Sequence, residues 1–531
     1  MWGGRLGLIL PEVSLSKAYS GRSLREGERL MEGEAVIGLQ FTGHPLVDVG
    51  VATIVAFAGK GRPEEVTDGD LEAIASYMAA QYVKSPLRGF LTVAFPNAGF
   101  TQPAFFRQGD KQQVYIDRVL FAFRGDRPQL DERDVFMDLP VADVSFDVYD
   151  GLEAGRVFRQ HVPLQTGVGT INFHPYGEAG LPISGLALFA IQAYPLGSAK
   201  CGGRTLFVHS DDPEIMVFFA RRFLEENRRV IRAAQLKLSK KLPGQRLKFR
   251  TLVVATLVEA LDGRRGVDDD DREVFSVSVY HLTNSGQGAD LALYHLPVEL
   301  VGFLVEMGGA AYGGGWQRLV DSAWIAFKPT SKHREAPPDF KPDRNWLYED
   351  LFNLAADPYG NGRRFVRSYF LREAYKYARG DMTVPGEGDS GQDEAILVLW
   401  GLTACFLGRL MSMDGERIER IRQLGDALAE YVREEDDRGF FRSFYGEKRY
   451  GYLRDSLIRA NSAYVKSGHE PFLTLDGFIG VFEDGEELAS RDWWLARDLV
   501  LIRMVERLYR NGWLVLNGDA IQEGEEGLVI G

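Results

Sequence analysis

Apolar residues recur at two spacings along this chain, and the balance between them changes past its middle. Leu71, Ile74, Ala75 and Met78 stand three and four apart behind Thr67-Asp68-Gly69-Asp70, a helix-opening sequence. An amphipathic helix is predicted there, and apolar helices over 184–193 and 252–261. The Gly43-His44-Pro45 turn and Asp48 open another, leading into the apolar run Val51 to Ala58. Strands are expected at 90–95, within 135–148 and at 203–209. Val274 to Leu282 alternates with period two and Leu291 to Leu296 follows, so these form a hairpin around the polar turn Thr283 to Gly288.

From Asn345 onward long helical patterns take over. Asp414 caps a helix running to about Glu435, with Ile418, Ile421, Leu424, Leu428 and Val432 as its stripe. Further helices are expected over 450–464 and 493–509, enough for a small bundle. Lys328 to Arg344 holds Pro329, Pro337, Pro338 and Pro342, which is linker chemistry. The predicted fold class is α+β: a mixed N-terminal region over 1–344, a helical connecting region with a basic face over 345–410, and a C-terminal helical bundle over 411–531.

Composition narrows this picture. The chain has 531 residues, too many for one ordinary core. No window approaches the roughly 20 apolar residues of a membrane helix, and the opening apolar run Leu6 to Leu10 stops at Pro11, too soon for a secretory signal. A cytoplasmic protein with no membrane partner is expected. With only Cys201 and Cys405, a disulfide framework and a four-cysteine zinc site are excluded by count.

Charge changes the picture most. The net charge is -13, yet Arg221 to Arg250 carries Arg221, Arg222, Arg228, Arg229, Arg232, Lys237, Lys240, Lys241, Arg246, Lys248 and Arg250 against only Glu225 and Glu226. Met216, Phe219, Phe223, Val230, Ile231, Ala234 and Leu238 recur there at helical spacing, so one face packs inward while a broad opposite face presents cations. Such a face suits a polyanion; a solvated amphipathic helix is the plainer reading. Arg363, Arg364, Arg367, Arg372, Lys376 and Arg379 form a second basic stretch.

Several turns carry amides. Pro96 to Phe106 contains Asn97, Phe100, Gln102 and Phe105, and Thr283 to Gly288 contains Asn284 and Gln287. An amide offers donor and acceptor together, as an adenine edge requires, and an aromatic ring can stack on a base or wedge a duplex. A buried turn whose amides satisfy backbone groups uses the same residues. Gly167-Val168-Gly169 lacks the third glycine of a dinucleotide loop, and Asp268 to Asp271 lacks the spacing of a calcium loop. There is no metal-spaced histidine pair, P-loop or nucleophile elbow, so a hydrolase using His44, His161, His174, His281 or His295 is the weaker alternative. A non-catalytic protein scaffold is a third reading.

Phe41-Thr42-Gly43-His44-Pro45, the Asn97 to Pro103 turn, Ile171-Asn172-Phe173-His174-Pro175, Glu225-Glu226-Asn227-Arg228-Arg229 and His281 to Gly288, together with helical segments at 450–466 and 492–503, resemble the large subunit of the type I-B CRISPR Cascade effector. That group is named for a pair of CXXC motifs. The resemblance runs from about residue 41 to 510, but Ser198-Ala199-Lys200-Cys201 keeps one cysteine of a motif and there is no other CXXC. No metal and no cofactor are therefore expected.

The resemblance implies a non-catalytic subunit that binds the 5′ end of a guide RNA, recognises the motif adjacent to the target in duplex DNA and helps begin strand separation. The implied partners are the backbone and small helical subunits and a recruited helicase-nuclease; base pairing reads the sequence. On this reading Asn97, Gln102, Asn284 and Gln287 contact bases or the guide end, and Phe100 and Phe105 wedge or stack. Arg221, Arg228, Arg229, Arg232, Lys237, Lys240, Lys241, Arg246, Lys248 and Arg250 track phosphates. The resemblance also implies a small subunit made by internal translation, for which Met411 or Met413, less favourably Met382, would be the start.

Overall fold

Thr67 accepts the Asp70 N–H at 3.2 Å while Asp70 takes the Thr67 N–H at 3.0 Å, and this reciprocal capping starts a helix over Asp68–Tyr82. A computed structural model describes residues 38–149, 151–168, 179–264, 275–285, 288–326, 340–378, 396, 398–483 and 493–517. In chain order the N-terminal elements are α1 (Pro45–Ala58), α2 (Asp68–Tyr82), α3 (Leu87–Leu91), α4 (Gly109–Leu120), β1 (Gln129–Arg133), β2 (Pro140–Ala142), β3 (Arg156–Val157), β4 (Leu181–Pro182) and α5 (Gly185–Ala193). Then come β5 (Ala199–Cys201), β6 (Arg204–Ser210), α6 (Pro213–Leu236), α7 (Phe249–Gly263), β7 (Val277–Thr283) and β8 (Asp290–Leu296).

Helices follow without further strands among the described residues: α8 (Val298–Met307), α9 (Gly313–Ser322), α10 (Trp346–Leu354), α11 (Pro358–Phe365), a π-helical turn over Val366–Leu371, α12 (Arg372–Ala378) and α13 (Leu399–Leu410). The last are α14 (Gly415–Glu435), α15 (Arg438–Gly446), α16 (Tyr450–Lys466), α17 (Leu475–Phe482), α18 (Trp493–Arg510) and α19 (Trp513–Leu516). Helices make up 58 % of the structure and strands 9 %, and the sheets are small, antiparallel and lie between Gln129 and Leu296, before the helical C-terminal region, so the fold is α+β.

The largest sheet has the order β5-β6-β7-β8, with Val208 opposite Val279 and Val279 opposite Tyr294. The hairpin predicted from alternation is its β7–β8 edge. Strand β6 is buried along almost its whole length because apolar clusters cover both faces of the sheet. One cluster gathers α1, α2, α5 and the turns after α3, and takes Phe207 from β6 and Leu282 from β7. The other takes Leu206, Val208, Val277 and Val279 and continues to Leu514. This second core passes through residues 344 and 410 without a break, so packing does not divide the chain where the linker composition does.

One predicted strand is absent and another is short. Residues 90–95 are the end of α3 and a run of turns, because Phe90, Leu91 and Phe95 all pack into the first core from a helical turn. Within 135–148 only β2 is extended. The αL conformation of Asp138 and the Asp134 carboxylate, which accepts the Phe136 and Met137 N–H groups, make a turn of the rest. The C-terminal prediction holds closely: Asp414 accepts the Arg417 N–H at 3.1 Å and α14 ends at Glu435.

Helix α1 is buried nearly all round and reaches α5 at a glycine. A Cβ on Gly50 would lie 1.9 Å from the Ala190 carbonyl oxygen. Gly50→Ala is expected to lower the unfolding free energy by about 3 kcal/mol in urea titration, since backbone rather than a side chain must give way. Gly59→Ala, at a positive φ with open space around it, should cost only about 1 kcal/mol.

Candidate nucleic-acid interface

Helix α6 starts on Asp212, whose carboxylate accepts the N–H groups of Glu214 and Ile215, with Pro213 at its first position. Its packing is two-sided. Met216, Val217, Ala220, Leu224 and Ile231 enter the first core, and Ile215, Phe219 and Phe223 enter the second. The broad cationic face expected from sequence is therefore divided. Arg228 lies half-buried over Phe57, 4.6 Å from the ring centroid, and Arg250 lies over Phe249 at 5.3 Å, so these two support packing. Arg229 is paired with Glu226 at 2.6 Å and Lys248 with Asp343 at 3.3 Å.

Most of what remains is gathered at and beyond the end of α6. Arg232, Lys237, Lys240 and Lys241 are exposed and have no carboxylate partner among the described residues. Arg221 donates to the Lys60 carbonyl and Arg246 to the Pro342 carbonyl, so both keep their charge uncompensated. Leu238, assigned to the buried stripe from its spacing, is instead 89 % exposed at φ +51, because the helix has ended at Leu236.

Cations distant in sequence join this end. The Lys240 backbone runs against α3, where a Cβ on Gly89 would stand 3.6 Å from the Lys240 carbonyl oxygen. Lys84 precedes α3 and is exposed, and Arg88 within it stacks on Phe106 at 3.8 Å. Lys200 donates to the Leu242 carbonyl, and burial, with a smaller contribution from the nearby Lys241 charge, lowers its pKa.

The turn that follows α3 forms the other half of the surface. Asn97 sits there in αL conformation at φ +63, a geometry asparagine tolerates, and its side chain is exposed. Gln102 is half-exposed, and neither amide side chain makes a hydrogen bond among the described residues. The aromatic assignments are overturned. Phe100 is fully buried against Tyr82 and Tyr115, and Phe105 is buried on the adjoining 3₁₀ turn, so neither can stack on a base. Phe106, 40 % exposed beneath Arg88, is the ring at this surface.

Asn284 is also reassigned. It is fully buried, its N–H donates to the Val93 carbonyl at 2.7 Å, and its amide donates to the Ala94 and Arg159 carbonyls. Its Oδ1 accepts from Arg159 Nε at 2.9 Å, and Arg159 also reaches the Ser285 carbonyl at 2.6 Å. Asn284 thus holds three turns together, around 93–97, 159–164 and 283–285, rather than contacting a ligand. Gln287 lies outside the described residues, as do His174 and Met382.

The histidines of the hydrolase alternative have separate surroundings. His44 caps α1 without a side-chain hydrogen bond, and burial lowers its pKa. Neighbouring Asp48 is occupied by the Thr42 and Gly43 N–H groups, the Thr42 hydroxyl and His209 at 3.0 Å. His281 lies over Phe249 and meets the Cys201 carbonyl, and His295 is exposed on β8. His161 is fully buried beside the Arg159 turn: Nδ1 accepts the Phe158 N–H, so Nε2–H donates to the Phe146 carbonyl at 3.1 Å. Among the described residues no group of His, Cys, Asp and Glu is placed to hold a metal ion, and no helix is long and apolar enough to cross a membrane.

No protein-family model, curated protein or solved structure matches the chain.

Asn284→Ala is expected to destabilise the fold by about 3 kcal/mol in urea titration, because it strands buried carbonyls and the Arg159 guanidinium. Burial pushes the His161 pKa down to about 4 from an ordinary 6.5. The unfolded chain therefore takes up this proton first. Its contribution is complete above pH 6.5 and falls as pH drops toward 4, a loss of about 3 kcal/mol. Unfolding midpoints measured from pH 7 to 4.5 should show that slope, and His161→Gln should flatten it.

Proposed function

We propose that this chain is the large subunit of a type I-B Cascade effector complex. In it the chain holds the 5′ end of the guide RNA, reads the motif beside the target in duplex DNA and helps open the strands. Cutting is left to a recruited helicase-nuclease. The observation that carries this reading is the joining, around α3, of exposed cations without carboxylate partners to a turn that presents the free amides of Asn97 and Gln102. Phosphate contacts fix register and short polar arms on a turn read base edges, so the two halves supply the two components of duplex recognition. The sequence resemblance in the Asn97 to Pro103 and His281 to Gly288 turns supports the same role.

Lys84, Arg88, Lys200, Lys240 and Lys241 would hold phosphates, Phe106 would offer a stacking face and Asn97 and Gln102 would contact bases. Asn284 contributes by fixing the turn from which Asn97 projects. No catalytic residue enters this reading, and pairing by the guide supplies the sequence specificity.

The test is co-expression of the tagged chain with its neighbouring gene products, followed by binding of the purified complex to duplexes differing only beside the target. Guide RNA should copurify, and affinity should depend on the flanking base pairs. Lys240→Ala/Lys241→Ala should weaken every duplex about tenfold and reduce the slope of log affinity against log salt by about 2. Asn97→Ala should leave that slope intact and relax the dependence on flanking sequence. Absence of RNA, together with wild-type duplex binding by the lysine variant, would remove the proposal.

A further inference from the structure

The second basic stretch forms no part of the α3 surface. It lines a cavity of about 500 Å³ where the end of α9, the start of α10, the π-helical turn and α12 meet. That volume is within the range of small-ligand sites, about 300–1,000 Å³.

Its apolar wall is aromatic and rigidly held. Trp324 pairs with Asn345 as an isolated β-bridge, and the Trp346 N–H donates to the Ala323 carbonyl at 2.9 Å. Asn345 caps α10 through the Tyr348 N–H and donates its amide to the Val320 carbonyl at 2.8 Å, which ties α10 to α9. Trp346 is nonetheless 45 % exposed, with Arg344 stacked 4.6 Å from its ring centroid. An exposed indole fixed by its backbone and backed by a guanidinium is suited to receive another planar ring.

The polar wall carries charge. Arg364 pairs with Asp350, which also accepts the Tyr369 hydroxyl at 2.7 Å, and Lys376 pairs with Glu373 at 2.7 Å. Arg372 is exposed and has no carboxylate partner among the described residues. Three cations against two carboxylates leave the lining one positive charge in excess. Ser368 and Tyr369 reach the cavity from the π-helical turn, whose wide spacing is frequent at functional sites. Planar aromatic surface on one side and an uncompensated guanidinium on the other match a ligand that joins a flat ring to an anion.

We propose that this cavity binds a nucleoside phosphate, with the base against Trp346 and the phosphate on Arg372. The ligand is either a free nucleotide or the terminal nucleotide of a strand, which present the same chemistry. The proposal is independent of the Cascade reading.

Calorimetric titration of the full chain with AMP, with a 5′-phosphorylated hexadenylate and with inorganic phosphate separates the cases. Saturable AMP binding, weakened about tenfold by Trp346→Ala and by Arg372→Gln, assigns a free-nucleotide site. If AMP does not bind but the hexadenylate does, with the same losses in both variants, the site takes a strand end. The proposal is overturned if neither ligand binds, if inorganic phosphate displaces the ligand at equal concentration, or if both variants bind as the parent does. Arg372 is exposed, so Arg372→Gln leaves the fold intact. Lys240→Ala/Lys241→Ala should bind AMP normally, so failure at the α3 surface and failure here are read separately.

Discussion

Helix α6 belongs to two cores at once, and the placement of the candidate interface follows from that. Its residues alternate between the cluster around α1 and the cluster that continues into the C-terminal helices, while β6 does the same with Phe207 on one side and Leu206 and Val208 on the other. A helix buried along two stripes has little surface left for charge. Cations along its middle must lie on aromatic faces, as Arg228 does, or pair locally, as Arg229 does. Apart from Arg221 near its start, the basic side chains without a carboxylate partner lie past Ile231, where the cores let go of the helix. The same wall fixes their position relative to α3, because the chain returning from α6 crosses Lys200 and Gly89 before entering α7.

A second shared element is α18, in which apolar burial is interrupted by charges that face inward. Arg503 binds Asp426 at 2.7 Å and Glu506 at 2.7 Å, and Glu506 also accepts the Trp400 N–H at 2.7 Å. Asp498 is fully buried between Arg497 and Arg367. Burial pushes both carboxyls up and the arginines pull them down. Removing one partner of such a pair leaves a buried charge, typically at a cost of about 3–5 kcal/mol. Trp400 and Arg367 precede Met411 and Met413. A segment begun at either methionine would keep Glu506 and Asp498 but lose these contacts, so as a separate subunit it requires a surface that replaces those contacts.

Periodicity made α14, α16, α18, α5 and the β7–β8 hairpin legible, because each carries one dominant pattern. It failed at 90–95, where Phe90 and Phe95 are apolar for reasons of tertiary burial and a five-residue helix has no room to show its period. The basic stretch was legible as charge but not as geometry. Nothing in local spacing tells a cation that will lie over a ring from one that will remain free. Asn284 and Phe100 show the complementary limit: amides and aromatics in turns serve burial as well as recognition, and only the fold separates Asn284, with its partners at Val93, Ala94 and Arg159, from Asn97. Arg88 and Phe106 lie 18 residues apart with no repeating pattern between them, so their stacking was not legible.

The net charge of -13 gives the α3 surface much of its meaning. At physiological ionic strength a charge is felt over about 8 Å, so a polyanion near most of this molecule meets net repulsion. It meets attraction only where cations stand without neighbouring carboxylates. Lys200 lies at this edge, and burial first and the Lys241 charge second lower its pKa. A phosphate held there would offset the repulsion between Lys200 and Lys241. A uniformly basic protein would bind a duplex in many orientations. On the proposed function, an acidic protein with uncompensated cations beside two free amides would favour the orientation in which those amides face the bases.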